Sequence, residues 1–158
     1  MTPLEALHQV PLAVWLRSSA WAYPALEVTH IVGIATMLGS VFLVDFKILF
    51  GGRPSATESA ASLSAQSLSR YALKYSVLGF LLIALSGSCM LFARLNDLLG
   101  NPALFWKMGF VTLAVSNAIA LHLRGGFEKM DGVSRFQALL SVLLWVATVA
   151  AGRWIDYV

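Results

Sequence analysis

Four long apolar runs, separated by short polar punctuation, set the frame of this chain. They cover about residues 25–49, 71–92, 103–123 and 136–155, and each is long enough to carry a helix across roughly 30 Å of hydrocarbon. Gly51-Gly52-Arg53-Pro54 ends the first run with glycine as cap and proline beyond. Gly100-Asn101-Pro102 separates the second from the third, and the polar stretch Arg124–Gly132 separates the third from the fourth. Small residues recur inside the spans, at Gly33, Ala35, Gly39 and Ser40 in the first and at Gly79, Ser86, Gly87 and Ser88 in the second. Such residues let helix backbones approach closely. Residues 3–19 differ, because Glu5, His8, Gln9 and Arg17 interleave with apolar side chains and Pro11 interrupts the run. That segment is too short and too polar to span, and reads as an amphipathic helix lying in the interface. The Ser/Ala-rich connection 55–70 opens with Ser55-Ala-Thr-Glu58, the spacing of a capping box. It reads as a helix over 56–70 outside the membrane, continuous with the second span, or as a low-complexity linker. The expectation is an all-α integral membrane four-helix bundle with an N-terminal interfacial helix, one membrane domain over residues 1–158 with no soluble domain left over.

Composition sharpens this class. The 158 residues are 58% hydrophobic and 12% charged, with a mean hydropathy of +0.75, whereas a soluble domain carries about 25% charged residues. The formal charge of +3 does not argue for nucleic acid, since the basic residues flank apolar spans and form no aromatic-interleaved patch. With a single cysteine, Cys89, no intrachain disulfide and no cysteine-rich metal site can form. The N-terminus lacks a basic region and a small-residue cleavage site, so the first span is expected to serve as its own insertion signal. Lys47, Arg53, Arg70, Lys74, Arg124, Lys129 and Arg135 share one face of the membrane, against Arg17, Arg94, Lys107 and Arg153 on the other. Seven against four places both termini outside the cytoplasm, hence periplasmic in a bacterial inner membrane.

Depth decides which polar residues can meet. Trp21 and Tyr23 belong to an aromatic belt, and Glu27 and His30 follow three residues apart, on one helical face. At 1.5 Å per residue, His30 lies on the order of 8 Å below that interface, and Lys107 lies at roughly the same depth in the third span. Met90 near the end of the second span and Arg153 near the end of the fourth reach a similar level. The terminal half of the bundle can therefore assemble Glu27, His30, Met90, Lys107 and Arg153. A polar side chain at such depth is costly and marks a functional site by default. His122 sits on the order of 20 Å from His30 along the membrane normal, so the two cannot share one haem. Glu-x-x-His is also the spacing of di-iron bundles, but the other spans offer no carboxylate at that depth. Plainer readings stand beside these: Glu27 as a carboxylate favoured by the helix dipole, His30 as a hydrogen-bonded core histidine, Met90 as packing, and Lys107 as a snorkelling cation. Asp45 is expected to pair with Lys47, Arg70, Lys74 or Arg124 at the cytoplasmic edge, and Asn117 to hydrogen-bond between helices.

His30-Ile-Val-Gly-Ile, Leu85-Ser-Gly87, Phe105-Trp-Lys107 and a plain apolar fourth span together resemble the four-span HemJ-type protoporphyrinogen IX oxidases and the related CopD-type copper-resistance membrane domain. Trp21-x-Tyr-Pro, Glu27-x-x-His30, Asp45-x-Lys47 and Lys107…Asn117 are similar to an uncharacterised bacterial family of small four-span proteins. The resemblance covers about residues 21–155 and implies a haem b bundle in which His30 takes the place of a haem ligand and Lys107 that of a functionally important lysine. The chain departs from the HemJ pattern at Glu27, at Asp45-x-Lys47 and in its long Ser/Ala connection, so haem binding carries over more readily than the protoporphyrinogen reaction. The expected function is haem b binding for electron transfer or for porphyrin or quinone oxidation. His30 would be an axial metal ligand, Met90 a second one, and Lys107 or Arg153 the partner of the haem propionates, with Glu27 one turn away. Two other classes remain open: copper handling through His30, Met90 and Cys89, since sulfur ligands suit Cu(I), and a non-catalytic subunit that packs on a second copy or on a membrane-complex partner.

Overall fold

The computed structural model describes residues 10–51, 65–125 and 131–158. His8, the Ser55–Glu58 capping box and Lys129 lie outside the described residues. Among these residues six helices follow in order: α1 (Pro11–Ser18), α2 (Ala22–Phe50), α3 (Ala65–Ala93), α4 (Leu95–Leu98), α5 (Pro102–Leu123) and α6 (Gly132–Trp154), with a 3-10 turn at Ile155–Tyr157. No strand occurs among the described residues. α2, α3, α5 and α6 are each long and apolar enough to cross a membrane, and their large apolar side chains face outward along their length, as at Ile31, Leu43, Leu81, Leu113 and Val146. A water-soluble bundle would bury these groups. The protein is a multi-pass membrane protein, and its outer surface is made for lipid.

Local chemistry sets where each helix starts and stops. Pro11 opens α1 at its first turn instead of interrupting it, because the N–H that proline lacks has no intrahelical partner there. α1 packs Ala13 and Leu16 inward against the terminal ends of α2 and α3, and the Arg17 guanidinium donates to the Ala93 carbonyl that ends α3 (3.3 Å). Ser19 Oγ accepts from the N–H groups of Trp21 and Ala22, which starts α2 earlier than expected. Trp21 is 83% exposed at that edge, as an interfacial anchor should be. Gly51 closes α2 through its N–H to the Lys47 carbonyl (2.8 Å). A Cβ at Gly51 would lie 2.2 Å from that same oxygen, so only glycine fits. α3 begins at Ala65, making the end of the Ser/Ala stretch continuous with the second span. α6 begins at Gly132, ahead of the apolar run, because Asp131 Oδ1 accepts from the Ser134 N–H (2.8 Å) and hydroxyl (2.7 Å).

α2 and α3 form one tight pair, α5 and α6 another, and α2 meets α6 to join them, while α3 and α5 stand further apart. The α3 seam is small and repeats every seven residues: Ala72, Gly79, Ser86 and Ala93 are all buried. At its centre the backbones touch, since a Cβ on Gly79 would come 2.6 Å from the Met37 nitrogen and 2.8 Å from the Gly33 oxygen. The α6 seam is Ser134, Ala138, Ser141, Trp145 and Thr148, a 4-3-4-3 spacing that keeps one stripe inward. Met37, Ala114 and Trp145 fill the middle of the bundle, and Ile48, Leu121 and Ala138 fill the half nearer the connecting loops. The polar interior is thereby divided into two parts, one on each side of an apolar layer. At the terminal face, Asn101 caps α5 through the Ala103 N–H (2.9 Å). Its amide donates to the carbonyls of Ile155 (2.8 Å) and Val158 (3.1 Å), tying the C-terminus to the start of α5.

A candidate functional site around His30

His30 lies on the inward side of α2, one turn before the Gly33–Gly79 crossing. That crossing brings α3 close enough for a direct bond, His30 Nδ1 to Ser86 Oγ at 2.9 Å. The direction of the bond follows from counting protons. Ser86 has one hydroxyl hydrogen, and its shortest contact is to the Leu82 carbonyl one turn back, at 2.6 Å, with Ile83 O further off at 3.3 Å. With that proton committed to the backbone, Oγ accepts from Nδ1–H. The tautomer this selects carries its proton on Nδ1, and Nε2 keeps the lone pair. Ring orientation is fixed from a second direction by Gly87, where a Cβ would sit 3.1 Å from His30 Cε1. The imidazole thus rests in a notch on α3, held by the Ser86 hydroxyl and the Ile83 backbone and shaped by a missing methyl.

Lys107 on α5 reaches the same level. Its aliphatic chain and ammonium lie along α6 at Gly152, with Cε and Nζ each 3.5 Å from where a Cβ would stand. The ammonium bears electrostatically on the His30 ring. No ion pair joins Lys107 to an acidic side chain among the described residues. A half-buried imidazole and a half-buried ammonium, from two different helix pairs, therefore share one polar region beneath the terminal face.

The other expected members are placed differently. Met90 is partly buried on α3, one turn from Ser86 toward the terminal face. Glu27 is exposed one turn before His30. Arg153 is exposed and engaged at the end of its own helix: it donates to Tyr157 Oη (2.8 Å), pairs with Asp156 (3.5 Å) and lies over the Tyr157 ring at 5.1 Å. Arg94 plays a larger part at this rim than the sequence suggested. It bonds to Tyr23, pairs with Asp156 (3.3 Å) and Asp97 (3.8 Å), and so links the start of α2 to the end of α6. The Tyr23 bond, with Asp156 adding to it, holds the Arg94 guanidinium above its ordinary value. His122 is exposed near the far end of α5, and Cys89 is a partly buried free thiol.

Ser86 and Gly87 are the residues whose roles sequence reasoning missed. Both stood out as small contact positions and within the Leu85-Ser-Gly87 of the resemblance, with no role assigned; the signal that could have separated them is the seven-residue register that puts Ser86 on the buried seam. Asp45 is a correction. It is 2% exposed inside the bundle, hydrogen-bonded to Ser141 of α6, instead of pairing at the edge with Lys47, Arg70, Lys74 or Arg124. The helix rotation that turns Met37 and Ile48 inward carries Asp45 with them. Asn117 does bond between helices, to the Gln137 carbonyl of α6 (2.9 Å). Among the described residues no group of three or more His, Cys, Asp or Glu side chains could hold a metal ion. Searches against protein-family models, curated proteins and solved structures gave no match to this chain.

Proposed function

We propose that this is a haem b-binding membrane protein in which His30 Nε2 would hold the iron. The observation that carries the reading is the His30–Ser86–Leu82 chain of hydrogen bonds, which fixes the ring and leaves Nε2 as the one free lone pair. Metal-binding histidines are ordinarily held this way, by a hydrogen bond from the other ring nitrogen. A single imidazole suits a group whose iron already has four ring nitrogens. Haem, when bound, supplies one-electron chemistry. Ser86 and Gly87 orient the ligand, the surrounding apolar side chains exclude water, and Lys107 supplies positive charge for a propionate. Met90 offers a thioether within one turn of Ser86 as a second side chain that would hold the iron. The role that fits is electron transfer, or oxidation of a quinone or porphyrin delivered from the bilayer. The excess of basic residues on the connecting loops supports a bacterial inner-membrane orientation with periplasmic termini, so the haem would lie in the periplasmic half.

The test is an oxidised and dithionite-reduced optical spectrum of detergent-purified protein made with ample haem supply, beside His30→Ala. A b-type spectrum that is lost in the variant supports ligation by His30. Wild-type protein without a Soret band overturns the reading, and metal analysis of that preparation then separates copper handling from an assembly subunit.

A further inference from the structure

A second polar site lies in the other half of the bundle, about 22 Å from His30 along α2 at 1.5 Å per residue. Asp45 is 2% exposed and Trp145 is 5% exposed. Asp45 Oδ2 and Trp145 Nε1 are the two buried side-chain polar atoms, among the described residues, without a hydrogen-bond partner. Both belong to the α2–α6 contact. Asp45 bonds to Ser141, and Trp145 is one turn further along α6, where helix side chains lean back toward the N-terminus and hence toward Ser141. Leaving a buried carboxyl oxygen and an indole N–H unmet is costly, and buried polar atoms in native proteins are nearly always satisfied. A carboxyl in a membrane helix that faces the bundle interior marks a proton or ion path by default.

We propose that Asp45, Ser141 and Trp145 form a proton-exchange site, in which one water molecule bridges the Asp45 carboxyl and the Trp145 N–H. Water is the guest whose chemistry fits. Its oxygen accepts from the indole, and it can donate to Oδ2 or accept from it, so both orphaned atoms are met in either protonation state. A metal cation would be opposed by the indole N–H. In the exchange step the O–H bond at Oδ2 breaks, the proton passes to the water oxygen, and the reverse step restores it. Access is from the loop face. Asp45 lies five residues before the end of α2, about 8 Å, and Ser134 and Ser141 are buried on the α6 seam on that side. Charged and titratable groups near this level are Lys47 on α2, Arg70, Tyr71, Lys74 and Tyr75 on α3, His122 and the following Arg124 at the end of α5, and Arg135 on α6. Lys74, Tyr75, His122 and Arg135 are exposed, and no ion pair reaches Asp45 among the described residues. On the terminal side the Met37–Ala114–Trp145 layer closes the site.

Infrared pH-difference spectra of the purified full chain, recorded in H2O and in D2O, test this. The expected result is a carboxylic C=O band in the wild type that shifts in D2O, is absent in Asp45→Asn, and moves in frequency in Ser141→Ala and Trp145→Phe. Where Asp45→Asn does not yield folded protein, Asp45→Glu in protein labelled with 13C-aspartate gives the same readout, as loss of one isotope-shifted band. Identical wild-type and variant spectra in the carboxylic region overturn the proposal, as does a wild-type band that stays unshifted after hours in D2O. None of these outcomes depends on whether haem binds at His30.

Discussion

At the residue scale, one serine hydroxyl decides what the histidine can do. Ser86 Oγ donates to Leu82 and receives from His30, so removing it leaves the ring with its Ile83 backbone bond alone and loosens its orientation. Ser86→Ala should therefore keep the helix pair folded and weaken haem retention by about 10–100-fold, the usual effect of losing a hydrogen-bond partner of a metal ligand. Haem titration of the purified variant measures it; unchanged retention would show that Ser86 does not orient the ligand. Gly87 acts through space instead. A methyl at 3.1 Å from Cε1 requires the ring to give by a few tenths of an ångström, so Gly87→Ala should shift the spectrum while leaving helicity intact, and Gly87→Leu should abolish binding. The Asp131 carboxyl shows the same economy at a helix start. Hydrogen bonds from the Ser134 hydroxyl and N–H, with Arg124 adding to them, hold it below the usual carboxylate range. A carboxyl depressed in the folded state stabilises the fold above its unfolded value, about 3.9, and that contribution is lost as pH falls through the folded value. Amide exchange over residues 132–135 should consequently rise on acidification in the wild type and be raised and nearly pH-independent, after correction for intrinsic exchange, in Asp131→Asn.

At the scale of elements, the α2–α3 pair does most to place the site. Small residues at 72, 79, 86 and 93 form a groove that accepts α2, and in lipid such close packing, together with hydrogen bonds between helices, is what holds helices together. Gly79→Ala puts a methyl 2.6 Å from a backbone nitrogen, which no side-chain rotation relieves. It should cost about 1–3 kcal/mol as overpacking and separate His30 from Ser86. Gly39→Ala is the matched control: nothing lies within 4 Å of its added Cβ, and the gain in helix propensity makes it neutral or stabilising by up to about 1 kcal/mol. Thermal unfolding in detergent distinguishes the two; equal melting temperatures would mean that the crossing is not tight. The spans themselves were legible because twenty apolar residues have few other uses. The starts of α2 and α6 were not, because Ser19 and Asp131 act through geometry that only the folded turn reveals. Asp45 was misplaced for a related reason: near the end of a span, sequence alone does not say which face of the helix turns inward.

At the scale of the molecule, two helix pairs meet through α2 and α6, and polar chemistry is confined to two levels separated by Met37, Ala114 and Trp145. The level of His30 and Lys107 was legible from depth counting, since both sit about the same number of residues inside their spans. Which side chains converge was less so. Glu27 stays on the outside and Arg153 is held by Tyr157 and Asp156, because a shared depth does not imply a shared face. The proposed topology rests on the basic residues and can be checked directly. In a Cys89→Ala background, an impermeant thiol reagent added to intact cells should label Tyr157→Cys and not Arg124→Cys; the reverse pattern would invert the molecule. The claim on which the functional account turns is that His30 Nε2 binds iron, and chemical rescue tests it most directly. His30→Gly should lose the b-type spectrum of the wild type and regain it when imidazole is added to fill the space beside Ser86 and Gly87. A wild-type spectrum that persists unchanged in His30→Gly, without imidazole, would contradict it.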